Sequence, residues 1–398
     1  MTDAAHAQAL AWLYAQTRDG GERHPRRARW LLRELGLSAP PNVVKVVGTN
    51  GKGTVSDLIA AGLRRAGNDT GLFVSPHVER FEERIAANGV PVSPAAVNAF
   101  VATARDQLRR RSPSPDERPA FFELTLALAL SEFARLGAGW AVLEAGIGGA
   151  TDATAAVDAG VRLVVLTNVD LDHVNTIGPT LEDIALEKAG AFAPGVPAVT
   201  AATGTGLEVA RQVARERGVG LVEVAPLAPG ETPRAANERL AAAALRMLSV
   251  PQAAIDEALT RPPLPGRGER FALPNASVLL DGAHDPAAAR QLRSQLEAGY
   301  VLLFGALGRK QGAATLAALE PGAAHVVITE AAPGEGTAHL AGPGRDVVPD
   351  PEQALRRALA LAPPDGRVVV TGSLYLAGRL RPLIDSLAHA AETIANRD

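Results

Sequence analysis

The chain is 398 residues long, carries 21% charged residues and has a formal net charge of -3. That balance supplies no global basic field for nucleic acid or an anionic membrane, so any polyanion it binds must be small and locally held. With no cysteine, disulfide frameworks, thiolate zinc sites and cysteine nucleophiles are excluded, and the reducing cytoplasm is the expected location.

The length points to two or three domains. The opening residues, MTDAAHAQALAWLYAQTRDGGERH, lack a basic start followed by an apolar stretch. No run approaches the roughly 18 apolar residues of a membrane span, so a soluble chain is expected. Short apolar runs alternate with amphipathic stretches, the pattern of parallel sheets covered by helices, which predicts an α/β fold throughout. Strands are expected at Val43–Val47, Gly71–Val74, Trp140–Glu144, Arg162–Thr167 and Ala198–Ala201, with helices following Thr54, Phe122 and Thr180. A helical pair follows over Arg234–Leu248 and Gln252–Leu259. The Arg109–Pro119 stretch, RRRSPSPDERP, reads as a solvated loop.

RPPLPGRGERFALPNA, Arg261–Ala276, is dense in Pro and Gly without helical or strand periodicity and reads as a linker. The expected organisation is therefore a first domain over 1–264, a linker over 265–275 and a smaller doubly wound domain over 276–398. Strands in the latter are expected near Ser277–Asp281, Tyr300–Phe304, Val326–Glu330 and Val368–Thr371.

The stretch VVGTNGKGTV, Val46–Val55, is a buried strand running through a glycine-rich turn into a helix. Such a turn aims backbone N–H groups and the positive helix end at its occupant, for which phosphate is the natural choice. Gly48, Gly51 and Gly53 permit backbone geometries other residues resist, Lys52 offers a cation, and Thr54 a hydroxyl for Mg²⁺. The usual GxxxxGK[ST] spacing is not met, and an ordinary turn with a surface lysine would give similar letters. Downstream, WAVLEAGIGGATDATAA delivers Glu144 to a strand's carboxyl end, where open α/β sheets place ligands. LTNVDLDHVNTIGPTLEDIALEKAGAF runs from another strand into Asp170, Asp172 and His173, a candidate metal contact that alone would as readily be structural.

Taken together, GTNGKGT, SPHVERFEERI, FFELT, LEAGIGGATDAT, DHVNTIGPTLEDIALEKAG, PGR, LDGAHDP and TGSLYLAGRLR resemble the folylpolyglutamate synthase/dihydrofolate synthase family of the Mur ligase superfamily, in family order from about Gly20 to Arg381. The resemblance implies a P-loop, Mur-ligase-like ATP-binding domain followed by a Rossmann-like α/β domain. It also implies an ATP-dependent ligase: a carboxylate is phosphorylated by ATP, and the amine of L-glutamate displaces phosphate from the acyl phosphate. The implied ATP contacts are Thr49, Asn50, Gly51, Lys52, Gly53, Thr54, Asn237 near adenine, Arg267 on the phosphates, and Asp281. Thr54, Glu144, His173 and Lys188 are the implied Mg²⁺ set, with Lys188 carbamylated. The implied catalytic residues are Lys52, Lys188, Asp281 and His284. Ser75, His77, Arg84 and Phe122 are the implied folate-side residues, with His284 and Ser373 on the glutamate side. Phe122 would serve equally as core.

The resemblance implies dihydropteroate or a reduced folate, L-glutamate and ATP as the small-molecule partners of a monomer. Three departures stand out: Asp285 where the family usually has Asn, Arg309 and Gln311 in a usually more acidic segment, and RAAN (Arg234–Asn237) without its frequent Gln. A Mur-type ligase with another acceptor, a P-loop switch and a non-catalytic folate binder are the alternatives. The SPH and DGAHDP segments favour folate. An ATP-driven switch would not need Asp281, His284 and Ser373, and the set Lys52, Glu144, His173 and Lys188 argues against a non-catalytic binder.

Overall fold

The computed structural model describes residues 2–17, 23–228, 230–308 and 311–395, so Arg309 lies outside the described residues. The chain divides into two compact units, Met1–His77 with Phe81–Arg261 and Val78–Arg80 with Pro262–Asp398.

The first unit's strands are β1 (Asn42–Val47), β2 (Thr70–Phe73), β3 (Ile85–Ala87), β4 (Val90–Pro91), β5 (Trp140–Glu144), β6 (Val161–Leu166), β7 (Ala198–Thr200) and β8 (Leu221–Glu223). They form one sheet in the order β4-β3-β2-β5-β1-β6-β7-β8. From β2 to β8 all pairings are parallel; β3 and β4 add an antiparallel edge. The β3–β4 hairpin turns on Asn88 and Gly89, both at positive φ, the geometry that Asn-Gly pairs favour. β1 is NVVKVV, a β-branched run buried on both faces, as a central parallel strand requires. Val44, Val46, Val142, Leu163 and Val165 share one buried cluster with Val55, Leu58 and Ile59 of the helix Lys52–Arg65. Val43, Ala141 and Leu143 face an opposite layer that includes Leu124 and Leu128 of the helix Phe121–Arg135. Each such Val or Leu contributes about 1.5–3 kcal/mol by leaving water.

In strand order, β1 lies between β5 and β6, and its own chain continues past β5 to β2. Outgoing connections therefore diverge around β1 and β5, and the crevice beyond their carboxyl ends is where such sheets bind ligands.

The second unit's strands are β9 (Arg267–Ala272), β10 (Ala276–Asp281), β11 (Tyr300–Phe304), β12 (Ala323–Ile328), β13 (Arg345–Val347) and β14 (Gly366–Thr371), ordered β13-β12-β11-β14-β10-β9. Val278, Leu280, Val301, Leu303, Val368 and Val370 fill one face; Leu279, Leu302, Phe304 and Val369 fill the other, the period of two expected of a sheet covered on both sides. The expectation of a linker over 265–275 is corrected here: Arg267–Ala272 is β9, paired antiparallel with β10. The proline and glycine around it flank an edge strand of half-exposed alternating residues, which lacks the apolar run of its parallel neighbours. Among the described residues no helix is long and apolar enough to cross a membrane.

Candidate active site

β1 ends at Val47, and the chain passes through Gly48 and Gly51, both at positive φ, into the helix Lys52–Arg65. Gly51 is the N-cap and no side chain caps that helix end, so its first N–H groups face the turn. Side chains from the segment after β6 hold the turn in shape. The Thr49 N–H donates to the Asn168 carbonyl at 3.0 Å and the Asn50 N–H to Asn168 Oδ1 at 2.8 Å. The Thr167 hydroxyl donates to the Asn50 carbonyl at 2.7 Å, and the Asp170 N–H donates to Thr49 Oγ1 at 3.0 Å. A Cβ at Gly48 would sit 1.9 Å from Thr167 Oγ1 and one at Gly51 2.4 Å from Asn237 Oδ1, so Asn237 lies directly against the glycine turn. Gly51→Ala should cost about 1–2 kcal/mol of stability through its left-handed backbone. The same substitution pushes Asn237 off the turn, so calorimetric titration with ADP should show weakened binding; unchanged affinity would separate Asn237 from the nucleotide.

Two amines meet this turn. Lys52 Nζ donates to the Thr49 carbonyl at 3.0 Å and Lys188 Nζ to the Gly48 carbonyl at 2.6 Å. Lys188 comes from the helix Leu181–Ala189, whose entry is fixed by Thr180 and Asp183 capping each other's backbone. It is 3% exposed. Burial first, and the Lys52 cation second, push its amine down to about 7, against the pull of Asp172 and Glu187. Glu187 itself turns to the glycine loop after β5, accepting from the Gly149 and Thr151 N–H groups and the Thr151 hydroxyl. Asp152 accepts from Gly146, Ile147 and Thr154 in the same loop. Glu144, last in β5 and 2% exposed, accepts the Ser75 N–H at 2.9 Å and stands beside Val46 in register. His173, at positive φ, sits in the segment after β6 with Nε2 3.4 Å from Asp172 Oδ2. Lys52, Thr54, Glu144 and Lys188 thus surround the ends of adjacent strands, and His173 follows the third.

Nearby, Arg84 Nε donates to His77 Nδ1 at 2.8 Å, and its guanidinium lies 5.1 Å from the Phe121 ring centroid. Burial, then the Arg84 charge, lower the His77 pKa to about 4. The neutral ring is therefore the folded form. Because the unfolded state binds the proton first, this contribution is complete above about 6.5 and is lost as pH falls towards 4. His77→Gln, which keeps a neutral acceptor, should flatten the pH dependence of melting across that window; an unchanged slope would remove His77 as its source. Phe122 packs on Phe73, with centroids 5.4 Å apart, and its ring occupies the space a Gly146 side chain would need. Phe122 therefore has a packing role, and the approach of Gly146 to a ring explains that glycine.

In the second unit, Asp281 ends β10, and its Oδ1 accepts the Ala283 N–H at 2.8 Å. Desolvation pushes its carboxyl up to about 6, opposed by backbone donors and by Arg267, its register partner in β9. His284 Nδ1 lies 2.9 Å from the Gly282 carbonyl; a carbonyl only accepts, so Nδ1 carries a proton. The Ala283 carbonyl accepts the Gly372 N–H at 3.0 Å, joining this turn to Ser373, whose Oγ accepts the Tyr375 N–H at 3.1 Å. Asp281, His284 and Ser373 thus lie at or just beyond the carboxyl ends of the adjacent strands β10 and β14, with Arg267 of β9 beside Asp281. Thr167, Asn168, Asp152 and Glu187 were not singled out in the sequence. The partners of Thr167, Asn168 and Glu187 lie far along the chain, 117 residues away for Thr167 and Asn50, so spacing gives no signal for them, while Asp152 bonds within its own loop.

Residues 46–217 match the Mur ligase middle domain family, and residues 266–374 match the Mur ligase glutamate ligase domain family. The chain is 32% identical over 404 residues to dihydrofolate synthase/folylpolyglutamate synthase of Escherichia coli strain K12, covering 90% of this chain and 91% of that protein. It is 33% identical over 385 residues to the probable bifunctional folylpolyglutamate synthase/dihydropteroate synthase of Haloferax volcanii, covering 85% of this chain. The chain spans about half the length of that protein and of its Halobacterium salinarum counterpart, 45% and 47%. Among solved structures, E. coli FolC in complex with DHPP and ADP superposes with a TM-score of 0.82 at 29% identity, covering 96% of this chain and 98% of that one. The Yersinia pestis bifunctional folylpolyglutamate synthase/dihydrofolate synthase complexed with AMPPNP and Mn ion gives a TM-score of 0.82 at 28% identity, with the same coverage.

Proposed function

Because the chain belongs to the folylpolyglutamate synthase/dihydrofolate synthase family of Mur ligases, we propose that it joins L-glutamate to a pteroate or folate carboxylate at the expense of ATP. The observation that carries this reading is the first unit's strand-end constellation: an uncapped helix end with Lys52, the buried carboxylate of Glu144 and the buried, easily neutralised amine of Lys188.

The turn's N–H groups and Lys52 bind the β- and γ-phosphates, and Asn237, which lies against Gly51, is assigned to adenine. Thr54, Glu144 and His173 are assigned to a divalent ion held jointly with phosphate oxygens. Among the described residues no three His, Asp or Glu side chains gather into a protein-only cage, and Mg²⁺ is the ion that binds through one or two carboxylates plus phosphates. When bound, that ion neutralises phosphate charge as the γ-phosphoryl group transfers. The acceptor's carboxylate oxygen attacks the γ-phosphorus and the bond to ADP breaks, leaving an acyl phosphate. The amine of L-glutamate then attacks the acyl carbon, phosphate leaves with the C–O bond, and the nitrogen gives up its proton. Lys188 as a carbamate would set a negative oxygen pair against this turn to orient the reacting groups. Asp281, His284 and Ser373 are assigned to the glutamate side, with Arg267 assigned to the phosphates. Ser75, His77 and Arg84 line the first unit's acceptor side. The enzyme is expected to work as a cytoplasmic monomer; molar mass by light scattering at working concentration checks the oligomeric state.

The test measures ADP release and ligated product with MgATP and L-glutamate, comparing dihydropteroate with a reduced folate as acceptor. Product with both makes the enzyme bifunctional, and product with one names the activity. ADP release that ignores L-glutamate and yields neither product would replace this reading by an ATP-driven switch.

A further inference from the structure

Asp285 follows His284 and is the N-cap of the helix Pro286–Arg293. Its Oδ1 accepts the Ala288 N–H at 2.8 Å, while Oδ2 is buried and accepts no hydrogen bond from any described residue. The whole residue is 5% exposed. Asparagine caps a helix as well as aspartate, so the cap explains one oxygen and leaves the second, and the charge, unexplained. The helix end favours a negative charge near it but donates nothing to Oδ2. A buried carboxylate oxygen without a protein donor is costly, so a water molecule or a ligand group satisfies it in the working protein. The partner must be a hydrogen-bond donor, and a cation suits it best.

We propose that Asp285 Oδ2 receives the α-ammonium group of the amino-acid substrate, fixing the nitrogen beside the His284 turn. This rests on the ligase reading. The second unit is the part matched by the glutamate ligase domain family, and its Asp281, His284 and Ser373 lie at or just beyond the carboxyl ends of the adjacent parallel strands β10 and β14. The carboxylates of L-glutamate are excluded from this oxygen by like charge, which leaves the ammonium as the substrate's one group of suitable sign.

Asp285→Asn preserves the cap and the side chain's shape while removing the charge, and Asp285→Ser is a second capping variant. For both, the KM for L-glutamate should rise by about tenfold to a hundredfold, as expected for loss of a charge-assisted hydrogen bond. The KM for ATP should stay within about threefold, because the change removes no group assigned to the nucleotide. Glutarate, which has both carboxylates and no nitrogen, should inhibit wild type and variants with the same constant. An unchanged KM for L-glutamate in an active enzyme overturns the Asp285 assignment alone. A glutarate constant that rises in step with KM also overturns it, because the residue then shapes the pocket without touching the nitrogen. Wild-type protein that ligates no L-glutamate removes the ligase reading and this assignment with it.

Discussion

Lys52→Ala is expected to lower product formation by about a hundredfold to a thousandfold, the cost of deleting one preorganised charge at a phosphoryl-transfer centre. The fold should not suffer. Lys52 opens its helix, where alanine is the better helix former, and its amine rests on the Thr49 carbonyl of its own turn. The melting temperature should therefore hold within a few degrees, about what 1 kcal/mol moves in a chain of this size. A second effect separates Lys52 from a simple phosphate clamp. Its charge is the second cause, after burial, of the low pKa at Lys188. Removing it should shift the acid limb of the pH–rate profile upward, because the Lys188 amine then holds its proton to higher pH. Full turnover in the variant would take the glycine turn out of the mechanism; an unshifted profile with reduced turnover would uncouple the two lysines.

The first unit's site was legible because its elements are local and repetitive. Val43–Val47 announces a buried parallel strand, the glycines after it announce a turn, and Glu144 closes another apolar run, so each residue could be placed at a strand end before any contact was known. What holds the turn was not legible. Asn168 fixes Asn50 at a separation of 118 residues, and Lys188 reaches Gly48 at a separation of 140. A helical reading sets Lys188 beside Glu187 or Glu182, whereas packing sends Glu187 to the Gly149 loop and Lys188 to the Gly48 carbonyl. β9 was hidden for a different reason. An edge strand needs only half its residues covered, so RGERFA between prolines and glycines carries the composition of a linker and the hydrogen bonds of a sheet. The β3–β4 hairpin, by contrast, did carry its signal in Asn88–Gly89. Asp285 marks the limit in the other direction: the departure is visible in the sequence, but only the fold exposes its unpaired oxygen.

Depleting carbon dioxide is expected to silence the enzyme reversibly, and Lys188→Ala to lower turnover by at least about a hundredfold. A carbamate forms when a neutral amine attacks CO₂: a C–N bond forms, one proton leaves the nitrogen, and a carboxylate replaces an ammonium. An ordinary lysine is protonated too completely at neutral pH for this. Lys188, lowered to about 7, has roughly half its amine neutral at that pH, and burial shields the product from bulk water. The sign follows directly: activity should rise as pH passes upward through about 7 and should fall below it, where the ammonium returns. Bicarbonate should restore depleted enzyme, and carbon-13 bicarbonate should give a carbamate resonance absent from Lys188→Ala. Lys188→Arg should not rescue, since a guanidinium neither deprotonates nor reacts with CO₂ in this range. A short carboxylic acid added to Lys188→Ala should restore part of the turnover by placing a carboxylate in the vacated space. If wild type keeps full activity without CO₂ while Lys188→Ala loses it, the free amine is the working form. The same pH limb would then report Lys188 as an amine beside the phosphate turn, held by the Gly48 carbonyl and kept from permanent charge by burial and by Lys52.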